Sequence, residues 1–175
     1  RAEPAPRREL VFALPWWARE RDTTALTRAI ELGNREAERV PAARFLAEAA
    51  RAWRTLALGD SAAALTQFLQ LPDFPNYYGI GDWERYTAIR LLNDARRFPE
   101  AATRLDREIP STPFPWDVVL LLERARATEG LGRPEVAADM YSRVADLWFH
   151  GDSALQPTVS AARAAALRLR HPSRR

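Results

Sequence analysis

Apolar positions recur along this chain every three or four residues, and proline, glycine or aspartate interrupts them, which is the spacing of amphipathic helices. Phe45, Leu46, Ala49, Ala52, Trp53 and Leu56 form one such stripe, with Glu48, Arg51 and Arg54 falling between. They predict a helix opened by Pro41 and running to about Leu58, where Gly59-Asp60 ends it. The next helix, Ser61 to Leu71, turns Ala64, Leu65, Phe68 and Leu71 to one side and stops at Pro72. Upstream, Leu10 to Leu14 is a short apolar run, and Pro15 is expected to open a helix through Trp16 and Trp17. Asp22-Thr23 offers an N-cap for Thr24 to Leu32, with Leu26 and Ile30 flanked by Ala25 and Ala29, and Gly33-Asn34 is expected to stop that helix.

Downstream, Asp82 can cap a helix from Trp83 to Phe98 that faces Tyr86, Ala88, Ile89, Leu91 and Leu92 inward. Pro99-Glu100 opens a helix to Ile109. Pro115 to Trp148 reads as two antiparallel helices joined by a tight turn at Gly130 to Pro134, and Pro157 opens a last helix, Thr158 to Leu169. Residues 1–9 are expected to be a frayed lead-in and 171–175 a mobile basic tail. Residues 72–82 and the proline-rich 110–115 are the irregular connectors.

Three helix-to-helix turns align. Gly59-Asp60-Ser61 leads to Ala64 and Phe68, Arg97-Phe98-Pro99 to Ala101 and Leu105, and Gly132-Arg133-Pro134 to Ala137 and Tyr141. A small residue followed four later by a large one lets neighbouring helices approach and then fills the gap. With a repeat of about 34 residues, this pattern resembles the tetratricopeptide (TPR) family. Ala52, Ala88 and Ala125 sit about where that family places its close-contact residue in the first helix, while Trp53 is out of its register. Asp22 to Ile30 resembles the second helix of a truncated further repeat. Tyr141, Leu147-Trp148, Asp152 and Leu155-Gln156-Pro157 also look like the last repeat and capping helix of TPR regions at the C-terminus of bacterial serine/threonine kinases and transcriptional activators. The resemblance implies an all-α, TPR-like α-solenoid of antiparallel helical hairpins with a C-terminal capping helix. Its single domain would span 10–170: a partial repeat at 10–33, repeats at 41–72, 82–110 and 115–149, and a capping helix at 157–170. It implies a regulatory or scaffolding module of a larger bacterial signalling protein, and the Arg at position 1 is taken as the start of a piece of such a chain. A cytoplasmic location is expected, with the extracytoplasmic part of a membrane-anchored kinase as the alternative.

Composition narrows the chemistry. All 26 basic residues are arginine, so a net charge of only +3 still gives a pI near 9.9. Interleaving with Asp and Glu argues against one continuous basic face, and nucleic-acid or anion binding is kept as the alternative function. There is no cysteine and no lysine, and the two histidines, His150 and His171, are far apart in sequence. Disulfides, thiolate chemistry and a lysine-bearing phosphate loop are excluded, and neither an enzymatic activity nor a cofactor or metal site is expected. No apolar run approaches the roughly 20 residues of a membrane-spanning helix. Glu123 with Arg126 is read as a local pair on a solvated face.

Aromatics are the more informative set. Phe74, Tyr77, Tyr78, Trp83 and Tyr86 gather around one connector and the helix after it, and Trp16-Trp17 form a second apolar pair. In TPR proteins the first helix of each pair lines a concave groove. That resemblance makes Trp83, Tyr86, Arg90, Asn93 and Asp94 of the second full repeat, and Arg126 and Glu129 of the third, the candidate surface for a protein or peptide partner. Arg90, Asn93 and Arg126 are expected to be exposed. Reversing the charge of Arg90 and Arg126 together is therefore expected to weaken partner binding while leaving thermal stability nearly unchanged.

Overall fold

The structure is a computed structural model that describes residues 8–72, 81–107 and 115–171. Every regular element among these residues is helical. The nine α-helices are α1 (Arg8–Arg19), α2 (Thr23–Ala37), α3 (Arg44–Ala57), α4 (Ser61–Gln70), α5 (Asp82–Asp94), α6 (Phe98–Arg107), α7 (Pro115–Gly130), α8 (Pro134–Leu147) and α9 (Gln156–Arg170). Short 3-10 turns at Pro41–Ala43 and Ser153–Leu155 lead into α3 and α9. Residues 73–80 of the first expected connector, with Phe74, Tyr77 and Tyr78, and 110–114 of the second lie outside the described residues, as do residues 108–109, the start of the lead-in and the end of the tail.

One local device recurs. After α1, α3, α5 and α7 the backbone enters the left-handed region at Arg21, Gly59, Arg96 and Gly132, at successive steps of 38, 37 and 36 residues. In each case the left-handed residue and the one after it donate back into the helix just finished. Arg21 donates to the Ala18 carbonyl and Asp22 to that of Trp17, Gly59 to Leu56 and Asp60 to Thr55, Arg96 to Asn93 and Arg97 to Leu92, and Gly132 to Glu129 and Arg133 to Thr128. These bonds satisfy carbonyls that a helix end otherwise leaves open. The residue that closes the turn then starts the next helix. Asp22 and Asp60 accept from the Ala25 and Ala63 amides at 2.9 Å, and Arg133 is followed by Pro134, which needs no amide partner there.

The chain divides into two compact units, one running to Leu91 and one from Leu92. In the first, α1 packs on α2 and α3, α2 on α3, and α3 on α4. Val11, Leu14, Leu26, Phe45, Leu46, Trp53, Leu65 and Phe68 fill its core. In the second, α6 packs on α7, α7 on α8, and α8 on α9. Its core joins Val118 and Ala125 of α7, Ala137, Tyr141, Val144 and Ala145 of α8, and Val159, Ala162 and Ala166 of α9. Helix α5 gives residues 82–91 to the first unit and 92–94 to the second. The small-and-large pairs Ala64/Phe68, Ala101/Leu105 and Ala137/Tyr141 are all buried, as their spacing required. Among the described residues no helix is long and apolar enough to cross a membrane.

Three boundaries differ from the sequence reading. Pro15 lies inside α1 instead of opening a helix, and Val11, Leu14 and Ala18 on either side of it form one buried stripe. Burial of that stripe outweighs the missing amide. Gly33 does not end α2. It is buried, and a Cβ there would lie 2.6 Å from the Ala47 amide nitrogen, so this glycine lets the α2 and α3 backbones touch. Helix α5 ends at Asp94, well before Phe98, because Arg96 takes the left-handed turn.

Arginine at φ 55–58° carries a Cβ clash that glycine lacks. Arg21→Gly and Arg96→Gly should each stabilise the chain by roughly 0.5–1 kcal/mol, and Gly59→Ala and Gly132→Ala should cost about 1 kcal/mol, read by denaturant titration. Ala101→Arg or Ala137→Arg should abolish cooperative unfolding, since neither completely buried site can take that volume.

Candidate functional site

The candidate residues lie on the first helices of successive hairpins, and the structure sorts them into different environments. On α5, Trp83, Tyr86 and Arg90 follow one another at steps of three and four and so share a stripe. Trp83 is 41% exposed and meets Tyr86 edge to face at 6.4 Å between ring centres. Tyr86 and Arg90 are half-buried. Among the described residues the Arg90 Nε is closed off from solvent and has no hydrogen-bond partner. The other side of α5 is fixed in place by buried Glu84, Thr87, Ala88, Ile89 and Leu91.

Asn93 is not on a free surface. It is buried, and its Nδ2 donates to the Glu123 carbonyl at 3.0 Å and to Glu123 Oε2 at 2.8 Å. Arg126 donates to the same Oε2 at 3.0 Å and to Asp94 Oδ1 at 2.6 Å. Asn93, Asp94, Glu123 and Arg126 therefore form one network joining the last turn of α5 to α7. Arg126, expected to be exposed, is part-buried within it. The predicted pair of Glu123 with Arg126 exists, but Glu123 is 2% exposed, so it is a core carboxyl and not part of a solvated face. Burial raises its pKa, against the opposing pull of Asn93 and Arg126.

Glu129 serves a parallel purpose one turn on. Its Oε2 accepts from the Tyr141 hydroxyl at 3.0 Å and its Oε1 from Arg168 at 2.9 Å, tying α7 to α8 and α9. Burial, and then the bond to Glu129, keep the Tyr141 phenol protonated well above its ordinary range. Arg124 closes the end of α6 by donating to the Leu105 carbonyl at 2.6 Å.

A further buried carboxyl went unnoticed in the sequence. Glu84, in the first turn of α5, is 3% exposed and accepts from the Trp53 indole Nε1 at 2.7 Å. Trp53 also meets Phe68 edge-on at 5.0 Å. Burial raises the Glu84 pKa more than the Trp53 bond lowers it, and among neighbouring charges Asp82 raises it and Arg85 lowers it. The available signal was positional. Trp53, Arg90 and Arg126 each stand six residues before a left-handed turn residue, at Gly59, Arg96 and Gly132.

Among the described residues no cluster of three histidines, aspartates or glutamates could hold a metal. No family model, curated protein or solved structure matches the chain.

These geometries revise the charge-reversal expectation. Arg126→Glu should destabilise by about 2 kcal/mol or more, because it strands a buried carboxyl beside two like charges, whereas Arg90→Gln should change stability by less than about 0.5 kcal/mol. Paired thermal melts check both. For Glu84 the sign follows from its raised pKa. The folded state holds the proton over a range where the unfolded chain has lost it, so stability falls as pH rises from the ordinary value of 4.5 to the raised one. Glu84→Gln keeps an acceptor for Trp53 and should lessen that fall, raising the neutral-pH melting temperature relative to wild type. Parallel pH–stability curves would show that Glu84 does not carry it.

Proposed function

We propose that this chain is a TPR-like interaction module of a larger bacterial signalling protein, and that it holds a peptide or partner surface against the stripe of α5. The observation carrying this reading is the pairing of a half-exposed Trp83–Tyr86 edge contact with the half-buried Arg90 on one face of a helix whose other face is locked into a core. Tryptophan, tyrosine and arginine are the side chains that concentrate binding energy, through large buried area and oriented polar tips. A stripe already held in place loses little freedom when a partner binds. The fourfold turn at 36–38-residue steps, and the buried small-and-large pair after each of the last three, support a hairpin-repeat architecture. That period is longer than the TPR unit of about 34 residues. On this reading α9, packed on α8, is the capping helix, and Trp83, Tyr86 and Arg90 do the recognising. Asn93, Asp94 and Arg126 join the end of α5 to α7, and Glu129 ties α7 to α8 and α9.

The alternative, an arginine-rich face for nucleic acid or other anions, draws less support. Arg97, Arg124, Arg126, Arg168 and Arg170 each pair with a carboxylate.

Peptides selected from an unbiased random display library on the wild-type chain should lose at least about tenfold in affinity against Trp83→Ala, the equivalent of roughly 1.4 kcal/mol. The variant's melting temperature should stay close to wild type. Selected peptides that bind Trp83→Ala as well as wild type would refute the module reading.

A further inference from the structure

Helix α1 carries two apolar stripes. Val11, Leu14 and Ala18 point into the core of the first unit. Phe12 and Trp16 point away from it, 41% and 59% exposed, and among the described residues no Phe, Trp or Tyr is more exposed than Trp16. Glu9 and Arg19 flank this outer pair, and both are exposed. Glu9, Phe12, Trp16 and Arg19 follow one another at steps of three, four and three. At about 100° per residue they share a stripe roughly 80° wide. Steps of three and four are those of a seam between two paired helices.

The same register is covered in the later hairpins. Nine residues before the left-handed turn residue stand Phe12, Ala50, Thr87 and Glu123. The last three are buried. On α7 the preceding first helix reaches this place, since Asn93 of α5 donates to Glu123 at 2.8 Å, and α3 likewise packs on α1. On α1, the first described helix, the place holds an exposed aromatic ring where the others hold small or polar side chains.

The order of charges says what fits this stripe. Glu9 and Arg19 stand five residues either side of Leu14, and Phe12 and Trp16 stand two either side. Turned end for end, the stripe therefore meets itself with opposite charges opposed and ring on ring. A parallel copy would set Glu9 on Glu9 and Arg19 on Arg19.

We infer that α1 is a self-docking surface through which two copies of this chain pair. The helices lie antiparallel about a twofold axis level with Leu14, with Phe12 against Trp16 and Glu9 against Arg19, each contact made twice. Such an isologous contact closes at two copies and does not propagate. The rings supply most of the attraction and the flanking charges fix direction and register. Arg19 Nη2 lies 3.1 Å from Glu20 Oε1, but that is a contact of adjacent, well-exposed side chains and gives way at little cost. Twelve residues make α1 only about 18 Å long, so the buried area is small and the dimer weak and reversible. The pairing is independent of the peptide-binding reading and of Trp83.

Sedimentation equilibrium of the full 175-residue chain over a dilution series tests this. The wild type should show a reversible monomer–dimer equilibrium. Glu9→Arg sets arginine against arginine and Arg19→Glu sets glutamate against glutamate, so each should raise the dimer Kd at least about tenfold. Mixed in equal amounts, these two variants complement one another and should associate about as tightly as wild type, as should a chain carrying both changes. Trp16→Ala should weaken the dimer by a similar factor and Trp83→Ala should leave it unchanged. Melting curves establish that each variant folds, and if Trp16→Ala does not, the charge-swap mixture decides alone. A wild type that stays monomeric up to about 1 mM overturns the inference and leaves the stripe to a different chain. A dimer indifferent to both charge swaps, or a mixture no tighter than its components, overturns it as well.

Discussion

The left-handed residue that closes each first helix is the constraint on which the rest of the structure depends. It reverses the chain within three residues, satisfies carbonyls the helix would otherwise leave open, and sets the phase of the helix that follows. Once that residue is fixed, the buried small-and-large pair falls five and nine positions later, at Ala64 and Phe68, Ala101 and Leu105, and Ala137 and Tyr141. Leu26 and Ile30 occupy the same two positions in α2, with Leu26 fully buried. One backbone conformation therefore determines which side chains of two helices point into the core.

The same phase controls where charge is buried. Two glutamates, Glu84 and Glu123, sit in the interior, each met by a donor from a neighbouring first helix: the indole of Trp53 for one, Asn93 for the other. Carboxyls in such places are tolerated only because a donor reaches them, and their raised proton affinity records the desolvation that remains. Arg126 donates to Glu123 on its own helix and to Asp94 across the helix seam, which turns a pair into a network. Such contacts are poor sources of net stability but strict about geometry, because a helix displaced by one residue would leave a buried charge without its mate.

Much of this was legible from spacing alone. Helix positions, the caps at Asp22 and Asp60, the Pro134 start and the tight packing of the paired alanines follow from local propensities that tertiary contacts did not override. The misses share a cause. Intrinsic preferences predict a helix start at Pro15 and a helix stop at Gly33, yet each sits inside a helix, because burial of a stripe around Pro15 and contact of two backbones at Gly33 outweigh those preferences. The turn at Arg96 lacked its usual glycine, so the end of α5 was placed too late. Asn93 and Arg126 looked exposed because polar residues ordinarily are, and nothing in a linear pattern reveals that a carboxyl thirty residues away in sequence folds over one of them.

The contact at Gly33 has a consequence for how such a chain can change. Where α2 and α3 touch main chain to main chain, with room at Gly33 for hydrogen and nothing larger, the two rods are keyed together and can neither slide nor roll without collision. Insertions and deletions must then collect elsewhere, in the connectors, as the drift of the turn from 38 to 36 residues along the chain already suggests. A joint of this kind sets the pitch between neighbours as a bolt does, and lets the rest of the sequence wander while the spacing of that seam stays put.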